Sequence, residues 1–301
     1  MITTLKSANI SWVDIINPSK KDVNELKERF NIHPLILNEL LRPSLRSKVD
    51  DYGPVLYMVL HFPVFDHQKR QSIPIEIDFI IGHNLLITAR YQKLPPLEEF
   101  HKRSSSELTN HEFNISKNSG QLLYYVMREM FEFSLRELDH IRRSIDRIEE
   151  GIFNNEEKML IREILGVRRD ILGFRKAMKP QKATLESLLA RSRTFFGEDM
   201  KGFFSFMLGD YLRVWNLVEN YKEMIEALQQ TNESLLTTKT NEVIKILTIF
   251  SVFALPISII GEFYSAYSWK HVSFTTFVLV SFLVMAALIG VIMYLKKKKL
   301  I

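Results

Sequence analysis

The chain has 301 residues, enough for one large domain or two ordinary ones. It contains no cysteine, which excludes disulfides and thiolate metal sites. Much of its formal net charge of +5 comes from four consecutive lysines near the end, and no nucleic-acid-binding motif is present. The first residues lack the apolar run of a secretory signal, and the apolar residues are concentrated at the other end.

Residues 1–115 predict a cytoplasmic α/β domain, because strand-like segments alternate with segments of helical spacing. Segments rich in Ile, Val, Phe and Tyr predict strands at 10–16, 53–65, 73–81 and 84–91. The last two strands are predicted to form a hairpin that turns at Gly82, His83 and Asn84. Predicted helices cover 19–30, which starts at a Ser cap, and 33–41, and Leu94, Pro95 and Pro96 begin the exit from the domain.

Helical spacing dominates from Ser116 onward. The predicted helices cover 118–150, 155–193 and 203–267, with breaks at 153–155 and 195–199. Residues 116–200 are therefore expected to form antiparallel cytoplasmic helices. Residues 201–267 are expected to form a stalk helix that needs partner helices, because so long a rod is unstable alone.

Two apolar segments near the end predict membrane spans, at 246–267 and 272–295, because each exceeds the roughly 20 residues that a helix needs to cross a bilayer core. Buried core helices are the alternative. The basic tail, 296–301, marks the cytoplasmic side. Two spans then predict a multi-pass plasma (inner) membrane protein with both termini in the cytoplasm and a short extracytoplasmic loop at 268–271.

One face of the first span carries polar side chains at alternating spacings of three and four residues. This polar stripe consists of Asn241, Ile244, Thr248, Ser251, Leu255, Ser258, Glu262 and Ser265. A repeat of 3.5 residues is typical of helices that pack in a bundle. Two interpretations remain open: hydrogen bonds between helices, which Ser and Thr commonly supply, or the lining of a pore built from several copies of the chain.

The sequence resembles the CorA family of divalent-cation channels. The similar segments are SWVDIINPSKKDVNELKERFNIHPLILNELL, KTNEVIKILTIFSVFALPISII and YLKKKKL, and the order of elements agrees over the whole chain. The resemblance implies an α+β cytoplasmic domain, long α-helices and a C-terminal two-helix transmembrane hairpin, assembled as a homopentamer. It also implies transport of hydrated Mg²⁺ or a related divalent ion, with no covalently bound cofactor. The sequence has no Walker loop, no Gly-rich dinucleotide loop and no nucleophile elbow, so no enzymatic activity is expected.

On this resemblance the polar stripe becomes the pore wall. Asn241 matches an inner-mouth Asn of the family, and Pro256 matches a family proline. Ile244, Leu247, Thr248 and Leu255 fall in the apolar gate region. The resemblance also implies a basic collar at the inner mouth, formed by Lys296, Lys297, Lys298 and Lys299.

Two features of the family are missing at the outer mouth. The family's Gly-Met-Asn motif falls on Ser265, Ala266 and Tyr267, and its acidic loop is replaced by a segment that contains Lys270 and His271. The resemblance also implies a regulatory metal site of carboxylates at subunit boundaries. The matching segments contain Glu39 and Asp210, which predict a Mg²⁺ site between subunits.

Glu262 lies one turn inside the position of the missing motif and falls on the polar stripe. In a pentamer it would form a ring of five carboxylates, a known way to select cations. The alternative is a salt bridge with Lys270. The sequence leaves three functions open: a divalent-cation channel, a proton-coupled transporter of another divalent ion such as Zn²⁺, and a non-conducting membrane sensor or scaffold.

Overall fold

The computed structural model describes residues 2–7, 9–44, 46–105, 116–154, 157–266 and 274–297. Its contacts divide the chain into two compact units, Met1–Gln230 and Thr231–Ile301. The strands are β1 (Ile2–Lys6), β2 (Ser11–Ile16), β3 (Lys48–Asp51), β4 (Val55–Asp66), β5 (Gln71–Gly82) and β6 (Leu85–Arg90). The helices are α1 (Lys20–Phe30), α2 (Pro34–Glu39), α3 (Pro95–Ser105), α4 (Ser119–Phe153), α5 (Glu157–Met178), α6 (Gln181–Phe196), α7 (Lys201–Ala266) and α8 (Phe274–Lys297).

The strands form one sheet in the order β1-β2-β6-β5-β4-β3. The pair β2 and β6 is parallel, and the other neighbouring pairs are antiparallel. The longest pair, β4 and β5, runs from Val55 opposite Gly82 to Asp66 opposite Gln71. Most residues of these two strands are buried, and strands covered on both faces have nearly continuous apolar sequences.

The four predicted strands are confirmed as β2, β4, β5 and β6, and the predicted hairpin joins β5 to β6 with Ile81 opposite Leu86. The sequence did not predict β1 and β3. Both are edge strands with the sequences ITTLK and KVDD, and they carry half-exposed or charged residues. A short strand with polar residues at a sheet edge shows little hydrophobic alternation, so its pairing is decided by the neighbouring strand.

Helix α1 begins at a reciprocal cap, as its predicted Ser start requires. The Ser19 hydroxyl oxygen accepts a hydrogen bond from the backbone N–H of Asp22 at 3.3 Å, and the Asp22 carboxylate accepts one from the backbone N–H of Ser19 at 2.9 Å. The hydrogen bond from the Ser19 side chain lowers the pKa of Asp22. Val23 and Leu26 face the sheet from this helix and join its buried core.

The prediction of one helix over 155–193 was wrong. The structure has two helices there, α5 and α6, and the first ends at Met178. The break lies at Lys179 and Pro180, because a proline inside a helix removes one backbone hydrogen bond and clashes with the preceding turn.

Helix α3 was not predicted. It begins at Pro95, where the sequence predicted only the exit from the domain. Proline is well tolerated in the first turn of a helix.

A buried charge pair ties β2 to β6. Arg90 Nη1 lies 3.0 Å from Asp14 Oδ1, and Asp14 also accepts a hydrogen bond from the Thr88 hydroxyl at 2.7 Å. Arg90 reaches Glu98 of α3 at 3.4 Å. Trp12 Nε1 donates to the Thr88 hydroxyl oxygen at 3.1 Å. Each charged side chain in this network has a partner of opposite charge, which offsets the cost of burying it. The contact between Arg90 and Glu98 also holds α3 against the sheet.

Helix α7 is continuous for 66 residues and contains Pro256 without ending there. The helical segment Glu198–Glu262 contains an 18-residue window long and apolar enough to cross a membrane, with a mean hydropathy of 2.4 and no burial within the chain. A shorter apolar helix covers Phe274–Gly290. The predicted first span therefore lies within one continuous helix up to Ala266, and Tyr267 lies outside the described residues.

Candidate functional site

The polar stripe lies on one uninterrupted helix and is open to its surroundings in the single chain. Its apolar members are more than half exposed, with Ile244 at 54%, Leu255 at 62% and the adjacent Leu247 at 61%. Asn241 and Glu262 are also exposed. These two residues are 21 positions apart, which corresponds to a rise of about 30 Å, close to the thickness of a bilayer core.

Three hydroxyl groups of the polar stripe donate hydrogen bonds to their own helix. The Thr248 hydroxyl donates to Ile244 O at 2.8 Å, the Ser251 hydroxyl to Leu247 O at 2.9 Å, and the Ser258 hydroxyl to Ala254 O at 3.0 Å. Their protons are therefore in use, and their remaining lone pairs are free to accept hydrogen bonds. An accepting surface suits the water shell of a cation, whose hydrogens point outward.

Glu262 is an exposed carboxylate near the end of α7, one heptad after Leu255. Among the described parts of the chain it forms no ion pair. Its alternative partner, Lys270, lies outside those parts, so the choice between a carboxylate ring and a salt bridge stays a prediction. A strict heptad drifts by about 20° per repeat around a straight α-helix, so the polar stripe would keep one orientation only in a left-handed bundle.

The two ends of the predicted pathway are only partly described. Ser265 is exposed on the last turn of α7, and Ala266 is the last residue of that helix. Lys296 and Lys297 belong to the last turn of α8. The other predicted members of the outer mouth and the basic collar lie outside the described residues, namely Tyr267, Lys270, His271, Lys298 and Lys299.

The two carboxylates of the predicted regulatory metal site have different surroundings. Glu39 ends α2, and its Oε2 lies 2.5 Å from Lys48 Nζ. Asp210 is half-buried on α7, and burial, followed by the nearby Glu132 carboxylate, raises its pKa. Within the described ranges no group of three or more His, Asp or Glu residues is arranged to hold a metal ion. No signal in the sequence identified Lys48, because it lies on the unpredicted edge strand β3.

The α/β sheet with its helices and the continuous helix α7, which contains an apolar segment long enough to cross a membrane, agree with the architecture of a membrane protein. The sequence profile described as "CorA-like Mg2+ transporter protein" matches residues 7–297, and the chain belongs to this family.

Individual relatives agree at low sequence identity. The cobalt/magnesium transport protein CorA of Thermotoga maritima is 23% identical in an alignment that covers 97% of this chain and 84% of that protein. The complete structure of the CorA magnesium transporter of Methanocaldococcus jannaschii superposes with a TM-score of 0.75 at 20% identity, covering 95% of this chain and 88% of the other. The full-length CmaX protein superposes with a TM-score of 0.73 at 16% identity, with the same coverage. These likenesses show the fold.

Proposed function

We propose that the chain is the subunit of a homopentamer that carries divalent cations, Mg²⁺ or a related ion, across the plasma membrane. The observation that carries this proposal is the exposed Glu262 on the polar stripe of helix α7, which continues into the apolar segment. Membership of the CorA-like family supports the ion class. A single helix cannot enclose a pathway, so transport requires several copies around a common axis.

The polar stripe divides the proposed pathway into parts with different chemistry. Ile244, Leu247 and Leu255 supply an apolar constriction that closes when water leaves it. Asn241 and Glu262 supply oxygen ligands near the two ends. In the pentamer the five Glu262 carboxylates repel one another, and a bound cation relieves that repulsion. Glu262 therefore takes the role of the Gly-Met-Asn motif that the outer mouth lacks.

A carboxylate ring predicts a different selectivity from that of carbonyl and amide groups. Carboxylates replace the water ligands of a cation directly, whereas carbonyl and Asn groups suit an intact water shell. The Glu262 ring should therefore accept ions that lose water more readily than Mg²⁺.

The proposed membrane topology places both termini in the cytoplasm. Helices α7 and α8 form the membrane hairpin, and Lys296 to Lys299 lie at the inner surface.

Flux measurements in liposomes test this function. The full chain is reconstituted, and uptake of Mg²⁺, Co²⁺ and Zn²⁺ is followed with an enclosed indicator at fixed membrane potential. We expect Glu262→Gln and Glu262→Ala to lower uptake by about tenfold, equivalent to about 1.4 kcal/mol of lost ion stabilisation. Glu233→Gln is the matched control, because Glu233 is an exposed carboxylate on the same helix before the apolar segment. Unchanged flux and selectivity in both Glu262 variants would exclude the ring.

Proton coupling is the second candidate, and the carboxylate of Glu262 is the observation that favours it, because such a group exchanges a proton for a cation. A pH gradient at fixed membrane potential separates the two mechanisms. Uptake that follows the pH gradient identifies a coupled transporter, and uptake independent of it identifies a channel.

Lys270→Met tests the alternative of a Glu262–Lys270 salt bridge. If that pair shapes the outer mouth, the variant should change the flux. If Glu262 acts without Lys270, the flux should stay the same. No flux under any condition would indicate a sensor or scaffold.

A further inference from the structure

A cleft of about 580 Å³ opens on the unit Met1–Gln230 between the turn of the β4–β5 hairpin and the helices α4 and α5. This volume lies within the range of small-molecule sites, about 300–1,000 Å³. The proposed transport function uses none of the residues that line the cleft. Helix α5 packs closely against the start of β5 at Gly173. A Cβ atom at this position would lie only 2.0 Å from Ser72 O, so the close approach requires glycine.

Three arginines from three different elements line the cleft. Arg70 comes from the hairpin turn, Arg147 from α4 and Arg162 from α5. All three side chains are exposed, and within the described residues none of them has an ion-pair partner. Arg147 and Arg162 lie at similar distances along the chain from the connection between α4 and α5, so the two helices present them at about the same level.

The carboxylates in the cleft do not neutralise these groups. Asp170 is buried and already has two partners, because its Oδ1 accepts a hydrogen bond from Ser72 N at 2.6 Å and its Oδ2 contacts His140 Nε2. Glu163 is the remaining carboxylate of the lining and is exposed. Three guanidinium groups therefore face one carboxylate that is not already engaged, and the cleft carries an excess of positive charge.

An aromatic wall completes the cleft. The Phe65 ring lies 4.3 Å from the ring of His140 and 5.1 Å from that of His67, measured between centroids. The backbone N–H of Phe65 donates to Glu137 Oε2 at 2.8 Å, which anchors the end of β4 to α4. Nothing lies within 4 Å of the position where Gly166 would carry a Cβ atom, so this part of the lining is open.

We propose that this cleft binds a phosphate ester of nucleotide size through Arg70, Arg147 and Arg162. Guanidinium groups present pairs of N–H donors whose spacing matches two phosphate oxygens, and several such groups recognise a polyphosphate better than a single phosphate. The rings of Phe65 and His140 provide a surface for the planar part of the ligand. The phosphate is carried either by a soluble nucleotide or by a lipid headgroup, and both offer the charged phosphate oxygens that the arginines would bind. This site goes beyond the proposed transport function and does not depend on it.

Calorimetry on the full chain tests the proposal. The protein is placed in nanodiscs of phosphatidylcholine in Mg²⁺-free buffer and titrated with ATP, AMP and inorganic phosphate. We expect ATP to bind most tightly and inorganic phosphate most weakly, and we expect the affinity to fall with added salt. The double variant Arg147→Ala/Arg162→Ala should weaken ATP binding by about tenfold or more. Arg142→Ala is the matched control, because Arg142 is exposed on the same helix but pairs with Asp146 at 3.9 Å outside the cleft.

The outcomes separate the sources of the phosphate and include two that overturn the proposal. If glycerophosphoglycerol, the soluble headgroup of phosphatidylglycerol, displaces ATP, the natural ligand is a lipid headgroup, whereas unchanged ATP affinity assigns a soluble ligand. No binding by the wild-type chain up to about 1 mM of any of these anions would overturn the proposal. Equal ATP affinity of the wild type and the double variant would also overturn it, provided that both have the same circular dichroism spectrum and thermal midpoint.

Discussion

Lys48 holds the Glu39 carboxylate, with its Nζ 2.5 Å from Glu39 Oε2. The same ammonium group lies 2.9 Å from Asp50 Oδ2 and 5.1 Å from the centroid of the Tyr57 ring. Burial alone would lower the pKa of Lys48, but its hydrogen bonds to Glu39 and Asp50 outweigh this and raise it, so the ammonium stays charged. The carboxylate that the family resemblance assigns to a regulatory metal thus already has a cation from its own chain.

Lys48→Met is predicted to create a dependence on Mg²⁺. The substitution keeps the length of the side chain but removes the charge, so Glu39 and Asp50 lose their shared partner and repel each other. We expect Mg²⁺ to raise the thermal midpoint of the variant more than that of the wild type, by about 2–4 °C for each kcal/mol of binding. Lys27→Met, an exposed change on α1, is the control. If Mg²⁺ stabilises the wild type equally, and Glu39→Gln removes that effect, Lys48 does not replace the metal.

Gly173→Ala is predicted to destabilise the unit Met1–Gln230 by about 1–3 kcal/mol or more, because the new methyl group would overlap Ser72 O on β5. Gly166→Ala is the matched control on the same helix, since nothing lies within 4 Å of its Cβ position. There we expect a gain of up to about 1 kcal/mol from helix propensity. Thermal unfolding followed by circular dichroism measures both. Similar midpoints for the two variants would show that α5 can move away from the sheet.

Asp78→Asn is predicted to stabilise the chain increasingly as the pH rises. Burial, followed by repulsion from Glu76, raises the pKa of Asp78 well above its ordinary value of 3.8, so the folded chain keeps this proton at a pH where the unfolded chain has released it. Folded stability therefore falls as the pH rises until the pKa in the folded state is passed. Asparagine removes this loss and still accepts the hydrogen bond that the Tyr91 hydroxyl donates to Asp78 at 2.9 Å.

The Asp78 prediction is checked by thermal midpoints from about pH 5 to about pH 8. Asp66→Asn is the control. Backbone hydrogen bonds from Lys69 and Gln68 lower the pKa of Asp66 from its ordinary value of 3.8, so the support from its ionised form is lost only as the pH falls below that value. Asp66→Asn should therefore differ from wild type by a constant amount over this range. A constant difference between Asp78→Asn and wild type across this range would contradict the expected proton uptake.

Single cysteines are predicted to report which face of α7 meets other subunits, because the chain has no cysteine of its own. Ser258→Cys lies on the polar stripe, and Ile260→Cys lies about 200° around the helix from it. Under oxidation we expect covalent dimers from Ser258→Cys, with one subunit of each pentamer left unpaired, and few from Ile260→Cys. A disulfide requires Cα atoms about 4.4–6.8 Å apart, so the result measures proximity at the axis. The reverse preference would place the polar stripe away from the other subunits.

The sequence predicted the elements whose hydrophobic pattern is strong and local. The buried strands β4, β5 and β6, the capped helix α1 and the long helix α7 follow from apolar runs, a Ser cap and sustained helical spacing. The short edge strands, helix α3 and the division at Pro180 were missed. The edge strands depend on pairing with their neighbours, and the ends of the helices depend on where prolines fall and on packing against the sheet. The hydrophobic periodicity of the sequence does not show these contacts.

The same distinction between local patterns and distant contacts applies to the candidate site. The order of elements, the apolar segments, the polar stripe with Glu262 and the family resemblance could all be predicted, because each depends on composition or on residues close together along one helix. The pairing of Lys48 with Glu39, and the cleft that Arg70, Arg147 and Arg162 share, became visible only in the folded chain. Residues far apart in sequence meet only when the sheet and helices are packed, because their contacts depend on register and on close approaches such as that of Gly173 to Ser72.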